Sequence, residues 1–513
     1  MKKTRFSNFI RGKFDSSGME MILEDGSVIK PLKDEELYKF LGILENYMHD
    51  TGSLVEKIKE TIQKRASVAW TSPLSDFHKV QATNVFVLSC LGYFLWTEKF
   101  NITDLRDIDK TIREIMNVNH AKYKLQANCS LYLPRSEGGR GLKQAESMYK
   151  VTRVKAAMRL LTDDDVEMKL VKEFDKIRME KNRSSVIGDA VRYCDEDFNM
   201  ELIPDDDGFT LKYEKDGKSE STSEATKASK LLKDAVETNT LAELDKLTWQ
   251  GATMKHRKAD EKLVSSECFA WARDWKNCPV EIINDIQAIY LQVVPTRTFQ
   301  KYRGQDISNT TCRMCNAGIE NVQHLLSSCE YFLKFYYTRK HNNVLKYIYF
   351  NVLKKYGLVT ECPPWYSKCE IKAKYENDQI CLLWDIPEYM GYDDEEESKV
   401  LRPDGKMILK NEQKVIILEM SVPWIQNRES KLIEKEKKYR ELIPKIQEMY
   451  PNFECEQATF IIDCLGGYSS SYIDALKKVG LTDRECKQIV RNTQKIVVTE
   501  GRSIVNKFKM LAK

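Results

Sequence analysis

Apolar residues recur at three- and four-residue spacing from about Asp34 to Gln144: Leu41, Leu44, Tyr47 and Met48, then Leu54, Ile58 and Ile62. That period follows the turn of an α-helix and predicts a helical domain. Ahead of it, residues 1–45 read as short strands with turns at Ser16-Ser17-Gly18 and Asp25-Gly26-Ser27. Residues 145–300 continue mostly helical. Within them Lys215 to Ala228, rich in Ser, Thr, Lys and Glu, has almost nothing to bury and is expected to be a flexible excursion. The apolar run Val85 to Trp96 falls short of the roughly 20 residues a bilayer span requires and reads as a buried helix, so no membrane partner is expected.

Cys362-Pro363-Pro364 breaks the chain and marks a boundary. Beyond it the pattern alternates. A helix is expected around Lys368 to Tyr375, a strand at Ile380 to Asp385, an acidic loop at Asp393 to Glu397, and strands at Lys406 to Leu409 and Val415 to Met420. A lysine-rich helix from Arg428 to Glu448 and a last strand at Thr459 to Cys464 follow. That order predicts a mixed sheet with flanking helices. Gly466-Gly467 reads as the end of the last strand, since no helix-opening lysine follows it.

A chain of 513 residues has room for three or more domains. The net charge of +4 is too small to announce nucleic-acid binding, so local stretches must carry any such contact. Met1 to Lys13, Lys150 to Arg159, and Thr338-Arg339-Lys340-His341 are the candidates. Tyr331, Phe332, Phe335, Tyr336 and Tyr337 either offer stacking surfaces to unpaired bases or form core at helical spacing.

Cys312-Arg313-Met314-Cys315 is followed after eight residues by His324 and after four more by Cys329. Two cysteines two residues apart ligate one ion from a tight turn, and His324 with Cys329 can close a tetrahedron. Four protein ligands leave no open position, so a zinc ion there is expected to be structural. The remaining cysteines, such as Cys90, Cys129 and Cys464, are scattered near apolar residues and read as buried thiols of a reducing compartment. His341 lies outside this spacing and reads as a phosphate or core contact.

Arg402-Pro403-Asp404 opens one strand-like segment, and Glu419 sits at the end of Val415 to Met420. Pairing of the two segments as a hairpin brings both carboxylates together, and two hard anionic ligands suit Mg²⁺. Such an ion with a nearby lysine is what phosphodiester hydrolysis needs. The competing reading is a Pro-Asp turn and a strand that ends in an acid. Glu376 and Asp378 add an acidic ligand or form a surface turn.

These features, in this order, resemble the C-terminal half of the polyprotein of non-LTR retrotransposons that carry a restriction-enzyme-like endonuclease. Tyr38-Lys39-Phe40-Leu41-Gly42-Ile43 looks like the hairpin that closes a reverse transcriptase palm. Leu131-Tyr132-Leu133-Pro134-Arg135 with Glu137-Gly138-Gly139-Arg140-Gly141-Leu142 resembles a segment of the thumb region, and Ile286 to Arg297 is similar to the helix leading into the knuckle. Trp384-Asp385, Arg402-Pro403-Asp404, Glu419-Met420-Ser421-Val422-Pro423 and Lys438-Tyr439 find counterparts in the nuclease. The resemblance implies a multidomain α+β chain. A palm remnant would occupy 1–45, a helical thumb 46–150, a helical linker 151–300, a CCHC zinc knuckle 301–360 and an α/β restriction-like nuclease 361–513.

It further implies Mg²⁺-dependent DNA nicking that primes reverse transcription, with target DNA and element RNA as partners. The nucleus is the expected place of action, with the cytoplasm as a second. The resemblance moves the catalytic lysine into the helix after Glu419. There Lys431, Lys435 and Lys438 share one face with Tyr439, and Lys435 is the first choice with Lys438 in reserve. There are departures. Glu419 stands where aspartate is usual, and the polymerase signature of an aromatic residue, any residue and two aspartates has no counterpart upstream of Tyr38. Tyr392-Asp393-Asp394 lacks the spacer, and Asp163-Asp164-Asp165 and Asp205-Asp206-Asp207 lack flanking apolar strands. No polymerase activity is therefore expected from this chain alone, which reads as a truncated copy or a fragment. The alternative function is a catalytically inactive nucleic-acid-binding relic.

Overall fold

This computed structural model describes residues 5–6, 8–11, 13–15, 19–33, 38–40, 43–45, 52–206, 208–264, 267–389 and 400–512. Ser16-Ser17-Gly18, the first residues of the N-terminal basic stretch, Tyr392-Asp393-Asp394 and the acidic loop Asp393 to Glu397 lie outside the described residues. The protein is a mixed α/β chain in two compact units, Met1–Lys122 with Gly141–Thr240, and Tyr123–Arg140 with Leu241–Lys513.

In the first unit helix Gly52–Thr71 packs on Ile102–Val118, which packs on Ala145–Thr162, which packs on Val186–Phe198. Each lays an apolar stripe inward: Leu54, Val55, Ile58 and Ile62 in one, Leu105, Ile108, Ile112 and Met116 in the next. The helical reading fails at Tyr38–Phe40 and Ile43–Glu45, which pair as an antiparallel hairpin. Aromatic and β-branched residues on either side of Gly42 favour extended chain there.

Two further expectations are corrected in this unit. Lys215 to Ala228 is not an excursion: Phe209–Lys215 pairs with Lys218–Thr222, and helix Ala225–Lys246 follows. Asp216 and Gly217, both at positive φ, make the two-residue turn that Asp-Gly favours. The segment borrows a core from its surroundings, with Leu211, Tyr213, Thr222, Ala228 and Leu232 buried. Val85 to Trp96 is not one buried helix. It breaks into a π-turn at Thr83–Val87 and short helices Ser89–Gly92 and Phe94–Thr97. Val87, Leu88, Leu91 and Leu95 face inward, whereas Val85, Phe86, Tyr93 and Trp96 are exposed. The basic stretch Lys150 to Arg159 is largely occupied by internal pairs, Lys150 with Glu146 and Asp197, and Arg153 with Asp189.

The second unit contains, among its described residues, a five-stranded sheet in the order Lys374–Glu376, Ile380–Trp384, Gly405–Leu409, Lys414–Ser421, Glu454–Ile461. The first four strands run antiparallel, and the last joins Lys414–Ser421 in parallel. Side chains alternate between faces. Ile416, Leu418 and Met420 pack with Met407 and Phe460 under the helices Thr338–Lys355, Ser470–Lys478 and Asp483–Leu511. Val415 and Ile417 pack on the other face with Tyr439, Leu442 and Ile446. Glu419 shares that second face by its odd position in the strand.

The expected helix at Lys368 to Tyr375 does not form: residues 368–373 are irregular and the edge strand Lys374–Glu376 follows. Asn377 accepts from the backbone of Gln379 and Ile380, closing a tight turn that folds Lys374–Glu376 back onto Ile380–Trp384. The lysine-rich helix divides into Arg428–Tyr439 and Leu442–Met449, the second with Pro444 in its first turn, where proline is tolerated. The last strand starts earlier than Thr459, at Glu454. No described helix is long and apolar enough to cross a membrane.

Candidate functional sites: a Cys/His cluster and a carboxylate pair

The ligand atoms of Cys312, Cys315, His324 and Cys329 all lie within 4.8 Å of one another, and this group could hold a metal ion. Among the described residues it is the one set of three or more Cys, His, Asp or Glu side chains gathered this closely. Cys312 Sγ is 3.9 Å from Cys329 Sγ, and Cys315 Sγ is 3.3 Å from His324 Nε2. A tetrahedral ion with bonds of roughly 2.0–2.3 Å separates its ligand atoms by about 3.3–3.8 Å, so the donor set fits. Burial raises the pKa of Cys312 and pushes that of Cys329 up to about 12, aided in Cys329 by the Cys312 charge. A cation is what allows such thiols to be held as thiolates.

Local sequence explains the cradle. Thr311 and Ile319 form a bridge, the Cys312 amide donates to the Gly318 carbonyl, and Gly318 turns the chain at φ 65. A Cβ on Gly318 would lie 2.9 Å from the His324 ring, so only glycine fits. Asn321 caps the short helix Val322–Ser327 by accepting from the His324 amide at 2.7 Å. Ser328 Oγ reaches His324 Nδ1 at 3.3 Å and leaves Nε2 to face the cysteines. Buried Glu320 ties the loop to its surroundings through Arg313 and the backbone of Arg297.

The second cluster lies at one end of the hairpin Gly405–Leu409 and Lys414–Ser421. Gly405 is opposite Leu418, so Asp404 and Glu419 adjoin one another as the hairpin geometry requires. Asp404 Oδ2 accepts from the Met420 amide at 2.8 Å and lies 3.0 Å from His341 Nε2. Burial opposes ionisation of Asp404, but the His341 hydrogen bond and charge outweigh it and lower its pKa. Glu419 behaves oppositely. Burial, then the Asp404 charge, push its pKa up to about 7 against the pull of Lys435. Lys435 Nζ meets Glu419 Oε2 at 2.9 Å.

Lys438 goes elsewhere: its Nζ is 2.8 Å from the hydroxyl of buried Tyr439, which donates to the Arg402 carbonyl at 2.8 Å. Lys431 pairs with Glu434 along the helix surface. Arg402 reaches Asp385 at 2.7 Å, and the Asp385 amide donates to the Asp404 carbonyl, pinning the strand end. Glu376 is held by Lys374 and Lys410 at the sheet edge. Gly466-Gly467 closes a turn in which Asp463 accepts from the Leu465 and Gly467 amides.

His341 is the residue whose place spacing did not reveal. It projects from the helix Thr338–Lys355, distant in sequence, and no local pattern marks it. Its neighbours in the basic stretch are committed as well: Arg339 pairs with Glu500, and buried Lys340 donates to the Leu326 carbonyl. Of the aromatic run, Phe332 is core and Tyr337 bonds the Cys329 amide and the Leu325 carbonyl, while Tyr331 and Phe335 stay exposed. No family model and no curated protein matches this chain.

Proposed function

We propose that this chain belongs to the polyprotein of a non-LTR retrotransposon and that its chemistry is divalent-metal-dependent nicking of DNA. In this reading the Cys312, Cys315, His324, Cys329 cluster holds a structural zinc ion. The observation that carries it is the gathering of Asp404, Glu419 and Lys435 at one strand end, with both carboxylates largely buried yet facing each other. A carboxylate whose charge raises the cost of ionising its neighbour makes with it a donor set suited to a hard cation.

Asp404 and Glu419 would hold Mg²⁺. When bound, that ion supplies an acidified water and neutralises charge on the scissile phosphate. The protein's own groups do the rest. Lys435 places its Nζ beside Glu419, where it would add to the field at the phosphate. Tyr439 and Arg402 fix the Asp404 strand end from behind. The exposed rings of Tyr331 and Phe335, with Lys334 between them, offer stacking and charge to target DNA or element RNA.

The experiment is nicking of supercoiled plasmid in Mg²⁺ by the full chain and by Asp404→Ala. Nicking by wild type alone is expected. Equal nicking by both variants removes the site. No nicking by either, with intact zinc content and salt-sensitive nucleic-acid binding, replaces the enzyme with a catalytically inactive binding protein.

A further inference from the structure

The helix Val166–Glu180 in the first unit is amphipathic the wrong way round. The two residues it buries are Lys172 and Asp175. Lys172 Nζ donates to the Asp206 carbonyl at 2.6 Å. The Asp175 carboxylate accepts from the Ser185 hydroxyl at 2.8 Å and from the amides of Val186 and Ile187 at 2.9 Å. Polar bonds therefore hold this helix to its own unit. Its large apolar residues, Val166, Leu170, Phe174 and Ile177 with Val171 beside them, face away and are 46% to 74% exposed. Their spacing by four, four and three residues draws one stripe along the helix. A contiguous apolar patch of roughly several hundred Å² marks an interaction surface.

The charges around the stripe decide what covers it. Its N-terminal end carries Asp164, Asp165 and Glu167, and its C-terminal end Arg178, Lys181 and Arg183. At roughly 3.6 residues per turn, Glu167 and Arg178 fall on the same flank of the stripe. Two copies of the helix related by a twofold axis run antiparallel, and each flank meets its own counterpart. Glu167 of one copy then faces Arg178 of the second at both ends, with Phe174 against Val171 across the axis. Parallel pairing sets acid on acid and base on base, and an anionic lipid surface repels the acidic end.

We infer that the helix Val166–Glu180 is a self-association surface on which a second copy of this chain docks, antiparallel and about a twofold axis. The inference is independent of the nuclease reading. Pairing over 15 residues covers on the order of 600–800 Å² per copy, the small end of specific interfaces, so the dimer is expected to dissociate at about 1–10 μM.

The test is sedimentation velocity of the full chain, freed of nucleic acid, from about 0.1 to 100 μM, with circular dichroism of every variant to confirm folding. Wild type is expected to pass from monomer to dimer across that range. Phe174→Glu should stay monomeric yet folded, because the side chain it replaces is exposed. Glu167→Arg should weaken the dimer at least about 10-fold by setting like charges together at both ends, and adding Arg178→Glu should restore it. A wild type that stays monomeric, a dimer that survives Phe174→Glu, or a folded double variant as weak as Glu167→Arg overturns the assignment. A monomer that instead floats with phosphatidylcholine and phosphatidylglycerol vesicles, as wild type but not as Phe174→Glu, overturns it in favour of a lipid surface.

Discussion

Lys435 Nζ and Glu419 Oε2 stand 2.9 Å apart, joining the helix Arg428–Tyr439 to the central strand Lys414–Ser421 across a buried contact. Lys438, one turn further on, spends its charge on Tyr439. The two lysines are therefore separable. On the proposed nuclease reading, Lys435→Ala is expected to lower nicking by about 10²–10³-fold, the scale of losing one electrostatic contact at a reacting group. Lys438→Ala should cost less than about tenfold, and single-turnover cleavage by the two variants measures the difference.

The raised pKa of Glu419 has a consequence for the metal-free protein. Its carboxyl titrates near 7 when folded, pushed up first by burial and then by Asp404, against about 4.5 when unfolded. A group whose folded pKa is raised contributes stability that is fully present below the unfolded value and is lost as pH rises through the folded one. Between about pH 4.5 and pH 7 this group should withdraw on the order of 2–3 kcal/mol. Urea unfolding of wild type and Glu419→Gln at pH 4.5 and pH 8, without added Mg²⁺ or Mn²⁺, should show the variant gaining on wild type at the higher pH. A pH-independent difference would contradict it.

Gly318 is required by conformation and by space at once. Gly318→Ala must place a Cβ against His324 while holding φ at 65. Metal affinity of the Cys312, Cys315, His324, Cys329 cluster should fall about 10–100-fold, the scale seen when support of a ligand is lost. Chelator competition with an indicator dye reads it directly, and an affinity equal to wild type would show that the loop relaxes freely.

The Tyr337 hydroxyl serves three backbone groups, accepting from the Cys329 amide and lying 3.1 Å and 2.7 Å from the His324 and Leu325 carbonyls. Tyr337→Phe removes the donor that the hydroxyl gives to the Leu325 carbonyl, while the Cys329 amide keeps its bond to the His324 carbonyl. It should cost about 1–3 kcal/mol in chemical denaturation with metal bound. A change below about 0.5 kcal/mol would mean that water replaces the hydroxyl.

Much of the second unit was legible. The strands Gly405–Leu409 and Lys414–Ser421 follow from their apolar runs, and the cysteine spacing announces a cluster that the fold does assemble. The long helix Asp483–Leu511 was not anticipated, although its start signal, Thr482 and Glu485 in a reciprocal cap, stands in the sequence. What could not be read was tertiary. Lys374–Glu376 is a strand because a neighbour offers it a ladder, not because of its own residues. His341 reaches Asp404 across 63 positions, a distance over which periodicity carries no information. Asp216-Gly217 was readable as a hairpin turn, but the polar character of the residues around it argued the other way.

The first turn of the helix Thr338–Lys355 makes three commitments in successive residues: Arg339 to Glu500, Lys340 to the Leu326 carbonyl behind the cysteine cluster, and His341 to Asp404. These amides cannot open toward one cluster and stay closed toward the other, so both belong to a single cooperative opening unit. In native-state hydrogen exchange the start of this helix and the cysteine loop should then share one opening free energy. Withholding metal from the loop should then deprotect the strand end at Met420 as well.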